Sequence, residues 1–209
     1  MLRVIILFFT LVQSYLLIAQ APEQRTFSAT IIAGFNASQI DGDETAGYRK
    51  LGLNVGARAD ILFAKKWQAG FEILFSQQGA QSQLIKGIPR NYYCHLNYIE
   101  VPLLIHFKDW EIVNEKNQTY HRFHFGVGAS YNRLMGGKVL NNGILEFEGN
   151  QLFDLGNFRK NHVMLMADIN FYFTRNWGIN LRYERAPMNI KTDTYFNPHM
   201  IVFRGLFTL

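Results

Sequence analysis

Residues 51–63, LGLNVGARADILF, alternate almost without a break. Leu51, Leu53, Val55, Ala57, Ala59, Ile61 and Phe63 share one phase, and Gly52, Asn54, Gly56, Arg58, Asp60 and Leu62 share the other. A helix repeats every 3.6 residues and cannot sort these side chains onto two faces, whereas a strand sends successive side chains to opposite sides. The apolar phase carries no charge, and the other carries both signs. A strand of this kind fits either a soluble barrel with a greasy interior or a membrane barrel with a greasy exterior.

The same period recurs along the chain. Phe27, Ala29, Ile31, Ala33 and Phe35 form an apolar phase, as do Trp67, Ala69, Phe71, Ile73 and Phe75. Phe123, Phe125, Val127, Ala129 and Tyr131 repeat it, followed by Val163, Leu165, Ala167, Ile169, Phe171 and Phe173. Trp177, Ile179, Leu181 and Tyr183 make a further set, and Ile201, Phe203, Gly205, Phe207 and Leu209 close the chain. With residues 96–107, this predicts about eight strands, each near the roughly 9–11 residues that cross a bilayer at a tilt. The polar stretches at 40–50, 77–95, 134–160 and 186–198 read as long loops, while 64–66 and 175–176 read as tight turns. Residues 108–121 are a connection with room for strand extensions around Trp110 and Ile112.

Residues 96–107, LNYIEVPLLIHF, are dense in strand formers yet hold Glu100 and Pro102. Pro102 cannot donate to a ladder, so an irregularity is expected there. Glu100 shares a phase with Tyr98, opposite Ile99 and Val101, so one face of this strand accepts charge.

Magnitudes decide which face meets lipid. The polar phase collects Arg58, Arg122, Arg182 and Arg204 with Asp60, Glu72, Glu100, Asp168 and Glu184. One Arg at the bilayer midplane costs about 2–4 kcal/mol, and several would exceed the roughly 5–15 kcal/mol by which a fold is stable. The charged phase therefore faces inward, as a network of interior ion pairs. A lipocalin-like barrel would reverse the faces and stud its exterior with Lys and Glu, which the apolar phase lacks. Hydrophobic residues at 48% with 18% charged and a mean hydropathy of −0.06 suit a chain in which only alternate residues face lipid. Trp67, Trp110 and Trp177 all lie beside connections on the short-turn side, predicting an aromatic girdle at the periplasmic interface.

Residues 1–19 read as a secretory signal peptide, with Arg3, the apolar run 4–9 and cleavage after Ala19. Cleavage after Ala21 would place Pro22 first. The remaining residues, 20–209, make one barrel domain in the outer membrane. Cys94 is the one cysteine, so no disulfide framework or cysteine-based metal site is expected. The net charge of +5 comes without a Lys/Arg-rich run or a nucleic-acid motif, so outer-membrane lipid and lipopolysaccharide are the expected anionic neighbours.

Gly34-Phe35-Asn36, the segment Tyr98-Ile99-Glu100-Val101-Pro102-Leu103-Leu104, Gly126-Val127-Gly128, Arg182-Tyr183 and the strand-final C-terminus together resemble the PorT-like outer-membrane β-barrel proteins of Bacteroidetes. The resemblance spans essentially all of 20–209. It implies an all-β, up-and-down antiparallel transmembrane barrel. The family's namesake is associated with secretion of proteins across the outer membrane, and most members have no assigned task. The terminal Leu209 departs from the commoner Phe of barrel-assembly signals.

No catalytic, cofactor or metal site is expected. His106, His121 and His124 come near one connection without an acidic ligand motif, and Ser76 and Ser130 have no evident His partner. Asp193 and His199 flank the last long loop. Tyr48, Tyr92, Tyr93 and Tyr195 belong to the outer loops, as partner contacts or an upper girdle. The reading is a non-enzymatic envelope component or partner-binding accessory with a charge-plugged lumen. An outer-membrane enzyme acting on lipid A or peptides and a small passive pore are the alternatives.

Overall fold

The computed structural model describes residues 26–42, 47–82, 92–115, 117, 119–141, 144–147, 158–190 and 196–209. The expected signal peptide lies outside them. The strands are β1 Phe27–Asp41, β2 Lys50–Ala64, β3 Trp67–Gln81, β4 Tyr92–Val113, β5 Thr119–Asn141, β6 Ile144–Phe147, β7 Asn161–Tyr172, β8 Trp177–Arg185 and β9 Asn197–Thr208. They lie in the order β4-β3-β2-β1-β9-β8-β7-β5-β6, and β4 also pairs with β5. That last pairing closes a ring of eight antiparallel strands, with β6 laid against the far end of β5 outside the ring. Closure leaves the ring without unpaired edges, as a lipid environment demands.

The alternation read from the sequence is the alternation of the wall. Ile31, Phe35, Leu53, Ile73, Leu103, Val127, Leu165 and Phe203 stand exposed on the outside, while their polar-phase neighbours are buried within. The turns between β2 and β3, β4 and β5, and β7 and β8 are short, and the start of β1 and end of β9 lie at the same end. Short turns face the periplasm in bacterial barrels, which orients the molecule.

The ladder extends past the expected strands at both ends of the β4–β5 pair, at one end through the extensions expected around Trp110 and Ile112 and at the other into the expected loop 134–160. β4 runs on through Trp110 to Val113 and β5 begins at Thr119, so 108–121 is a hairpin with a short turn. At the other end β5 continues to Asn141, eight residues into the expected loop 134–160. Above the bilayer both faces of a strand meet polar surroundings, so the period-two signal fades while the hydrogen-bonded ladder continues. Pro102 interrupts the ladder rather than shifting it: β3–β4 pairing runs to Phe71↔Leu103 and resumes in the same register at Leu74↔Glu100. The register shift lies instead between Asn97 and Tyr98, on the β5 side.

The interior is filled in layers, as expected where eight strands leave room only for side chains. At the outer end Ile40, Leu96, Leu134, Phe158, Ile190 and Phe196 pack into an apolar cap. Phe158, Ile190 and Phe196 come from the connections, so the long loops themselves close the mouth. Below it lie Met164, Ala186, Met200 and Val202. Toward the periplasmic end Ile32, Leu74, Tyr172 and Leu206 form another layer. Charge is therefore only part of the filling, and the apolar cap had no period-two signature because its members lie partly in loops.

Candidate functional site

Glu72 of β3 is the hub of the buried ions. Its carboxylate accepts two hydrogen bonds from Arg182, at 3.0 and 2.8 Å, and one from Arg204 at 3.3 Å, with Arg58 3.8 Å away. The inward phases of β2, β3, β8 and β9 aim these side chains at the axis, and all four are sealed from solvent. Arg182 also donates to Asp168 at 3.1 and 2.9 Å, and His106 holds the other oxygen of Asp168 at 3.0 Å. Gly126 makes room for that pair: a Cβ there would fall on Asp168 Oδ1 and the His106 ring. Arg58 completes its own set with Asp60 at 2.9 Å and the Tyr172 hydroxyl at 2.9 Å. Arg204 donates to Asn180 at 2.9 Å.

Glu100 and Glu184 stand apart from this set. Both are fully buried, lie beside one another, and receive no hydrogen bond from the surrounding donors. Glu184 has a cation at 3.5 Å, Arg182, but Glu100 has no cation within ion-pair distance among the described residues. Among the described residues, three buried arginines thus face five buried acids. Glu72, rather than Glu100, is the acid on which the arginines converge.

Arg122 belongs elsewhere. Its guanidinium lies over the Trp110 ring, 5.2 Å from the centroid, and makes no ion pair among the described residues. Trp110 takes a positive φ of 56° and has no partner in the β4–β5 ladder, whose pairing steps from Asp109↔Phe123 to Glu111↔His121. The resulting irregularity draws Arg122 to the rim as a cation–π partner. Trp67, Trp110 and Trp177 are exposed at the short-turn end, packed on Phe107, Phe123 and Phe207 at centroid distances of 5.2, 5.7 and 4.7 Å.

At the outer rim the structure assembles residues that are distant in sequence. His199 of β9 meets Asp41 of β1 at 3.0 Å through Nε2 and the Tyr48 hydroxyl at 2.8 Å through Nδ1. Arg185 adds a 3.3 Å contact to Asp41. A carboxylate only accepts, so in the neutral ring Nε2–H donates to Asp41 and Nδ1 accepts the tyrosine proton. Burial and the neighbouring Tyr183 push the Tyr48 phenol up, which holds that proton in place. The cluster therefore resembles a catalytic triad in outline but offers no activated nucleophile; it ties the β1–β2 loop to β9. Asp193 and Tyr195 lie outside the described residues. Tyr93 stacks near His95 between Lys50 and Lys138. Ser76 accepts from the amides of Asn36, Asn54 and Gln78, and Ser130 from Asn132.

The comparisons with known proteins agree with the wall. Among solved structures the chain is similar to Ail, the attachment invasion locus protein of Yersinia pestis, at 16% identity and a TM-score of 0.50, covering 87% of this chain and 98% of that one. It is also similar to Neisserial surface protein A, at 8% identity, TM-score 0.48 and 86% and 96% coverage. The N-terminal β-barrel domain of Pseudomonas aeruginosa OprF matches at 10% identity, TM-score 0.43 and 87% and 97% coverage. No curated protein matches the chain. The family model described as outer membrane protein beta-barrel domain matches residues 18–191, most of the strands described above, and the chain belongs to that family of the outer membrane.

Proposed function

We propose that the protein is a non-conducting, non-enzymatic envelope component that works through its outer loops as an accessory of a larger outer-membrane assembly. The filled interior carries this reading. The ion cluster around Glu72 and the apolar cap of Phe158, Ile190 and Phe196 occupy the space a pore would need. The rim cluster Asp41–His199–Tyr48 lacks an activated nucleophile, so an enzyme has no obvious place to work. What remains for encounter is the outer surface, extended by β5, β6 and the long connections. Lipid and lipopolysaccharide surround the exposed apolar wall, and the resemblance to PorT-like barrels supports a secretion-associated partner.

A photo-crosslinker placed at exposed Met135 or Met188 in native membranes tests this. The expected result is a discrete protein adduct at these outer positions and none from Lys65 at the periplasmic turn. Adducts to lipid and lipopolysaccharide alone would remove the accessory role.

A further inference from the structure

The barrel is closed at its outer mouth but not at its periplasmic one, where a vestibule of about 820 Å³ enters the interior. We propose that this vestibule binds a small oxyanion, a phosphate- or carboxylate-bearing solute that arrives from the periplasm.

The lining sets the sign of the ligand. Lys65, Lys108 and Arg175 border the cavity, while the acids of this end are largely engaged. Asp60, at its ceiling, is held by Arg58 at 2.9 Å and Gln68 at 3.1 Å, and Asp109 outside it is held by Lys66 at 3.0 Å. Glu111 is the remaining acidic side chain in the lining among the described residues. Three cations against Glu111 and the terminal carboxylate of Leu209, which also borders the cavity, leave the lining a small positive excess, in a recess where low-dielectric walls strengthen the field.

The lining also holds imidazoles, each of which carries an N–H able to donate. His124 borders the cavity, is only 8% exposed, and its Nδ1 has no hydrogen-bond partner. His121 Nε2, in the same lining, has none either. An oxyanion accepts from several donors at once and answers both the charge and the unpaired nitrogens. The volume falls within the ~300–1,000 Å³ of small-molecule sites. The chamber opens along the barrel axis rather than through the lipid-facing wall, which favours a dissolved anion over a lipid headgroup.

Isothermal titration of the full barrel in a non-ionic detergent, with inorganic phosphate and separately with citrate, tests the assignment. The expected result is saturable binding of at least one probe, weakened at least tenfold by Lys108→Gln and by His124→Leu and unchanged by Lys138→Gln at the opposite end. Binding by wild type should also weaken as sodium chloride is raised, a readout that needs no variant. Heat-dependent migration on gels shows that each variant is folded. Loss of phosphate binding when the barrel is moved into phosphatidylglycerol nanodiscs, with binding kept in phosphatidylcholine, would support the site with a headgroup as its source. No saturable binding of either probe, or binding that survives both vestibule substitutions, overturns it.

Discussion

Arg182 on β8 grips Glu72 on β3 through two parallel hydrogen bonds of 3.0 and 2.8 Å. In the ring, β2, β1 and β9 separate these strands on one side and β4, β5 and β7 on the other. The pair therefore spans the barrel as a diametric strut, and bidentate geometry with full burial makes it one of the stronger kinds of ion pair. Removing one partner leaves the other charge buried and uncompensated, at a cost of about 3–5 kcal/mol. Glu72→Gln, which removes the one carboxylate that Arg182, Arg204 and Arg58 share, should lower the chemical-unfolding midpoint in detergent far more than Lys66→Gln in the solvent-exposed pair with Asp109.

Glu100→Gln should behave in the opposite way. Glu100 touches another carboxyl, Glu184, and leaves no cation behind when neutralised. Glutamine keeps the volume and brings an amide donor toward an oxygen that lacks one. Stability should stay within about 1 kcal/mol of wild type or rise. A loss as large as that of Glu72→Gln would show that Glu100 holds a cationic partner.

Gly126 and Gly205 separate interior crowding from conformational freedom. A methyl group at Gly126 meets Asp168 and His106, whereas at Gly205 the nearest atom is 3.7 Å away. Gly126→Ala should cost about 1–3 kcal/mol through overpacking, and Gly205→Ala should be close to neutral. Thermal unfolding of the two variants side by side checks this.

Wild-type protein in planar bilayers should show no steady single-channel conductance. The cap and the ion cluster obstruct the axis in series, so trimming Phe158 alone to alanine should not open it. Ohmic channels from wild type would restore the pore reading.

His121, at the periplasmic end, has its pKa lowered by burial first and by nearby Lys108 second. A histidine whose folded pKa is depressed binds its proton more readily when unfolded, so stability falls as the pH drops below the ordinary histidine value near 6.5. Melting curves at pH 8, 6.5 and 5 should show this acid loss, and His121→Gln should flatten part of it. A steeper loss in the variant would contradict the assignment.

The sequence by itself determined the wall. Period-two alternation over strand after strand assigns each side chain a face, and the cost of arginine in lipid states which face is inside. The alternation is a local fact, readable from Leu51 to Phe63 alone, whereas the choice of face needs the charges of several strands taken together. It also identified the inward charges, because Arg58, Glu72, Asp168 and Arg182 share a phase with their strands. Only the tertiary structure decided who pairs with whom. Arg182 reaches Glu72 across 110 positions and misses Glu100 because strand order, stagger and side-chain length set distances that phase does not encode. The same holds for Asp41 and His199, separated by 158 positions and brought together by the β1–β9 closure. Arg122 shares the inward phase yet leaves the lumen, because an irregularity at Trp110 on the neighbouring strand offers its guanidinium an aromatic face. The apolar cap was illegible for a related reason: Phe158, Ile190 and Phe196 come from stretches with no period, and only the closed ring gives them a common place to bury.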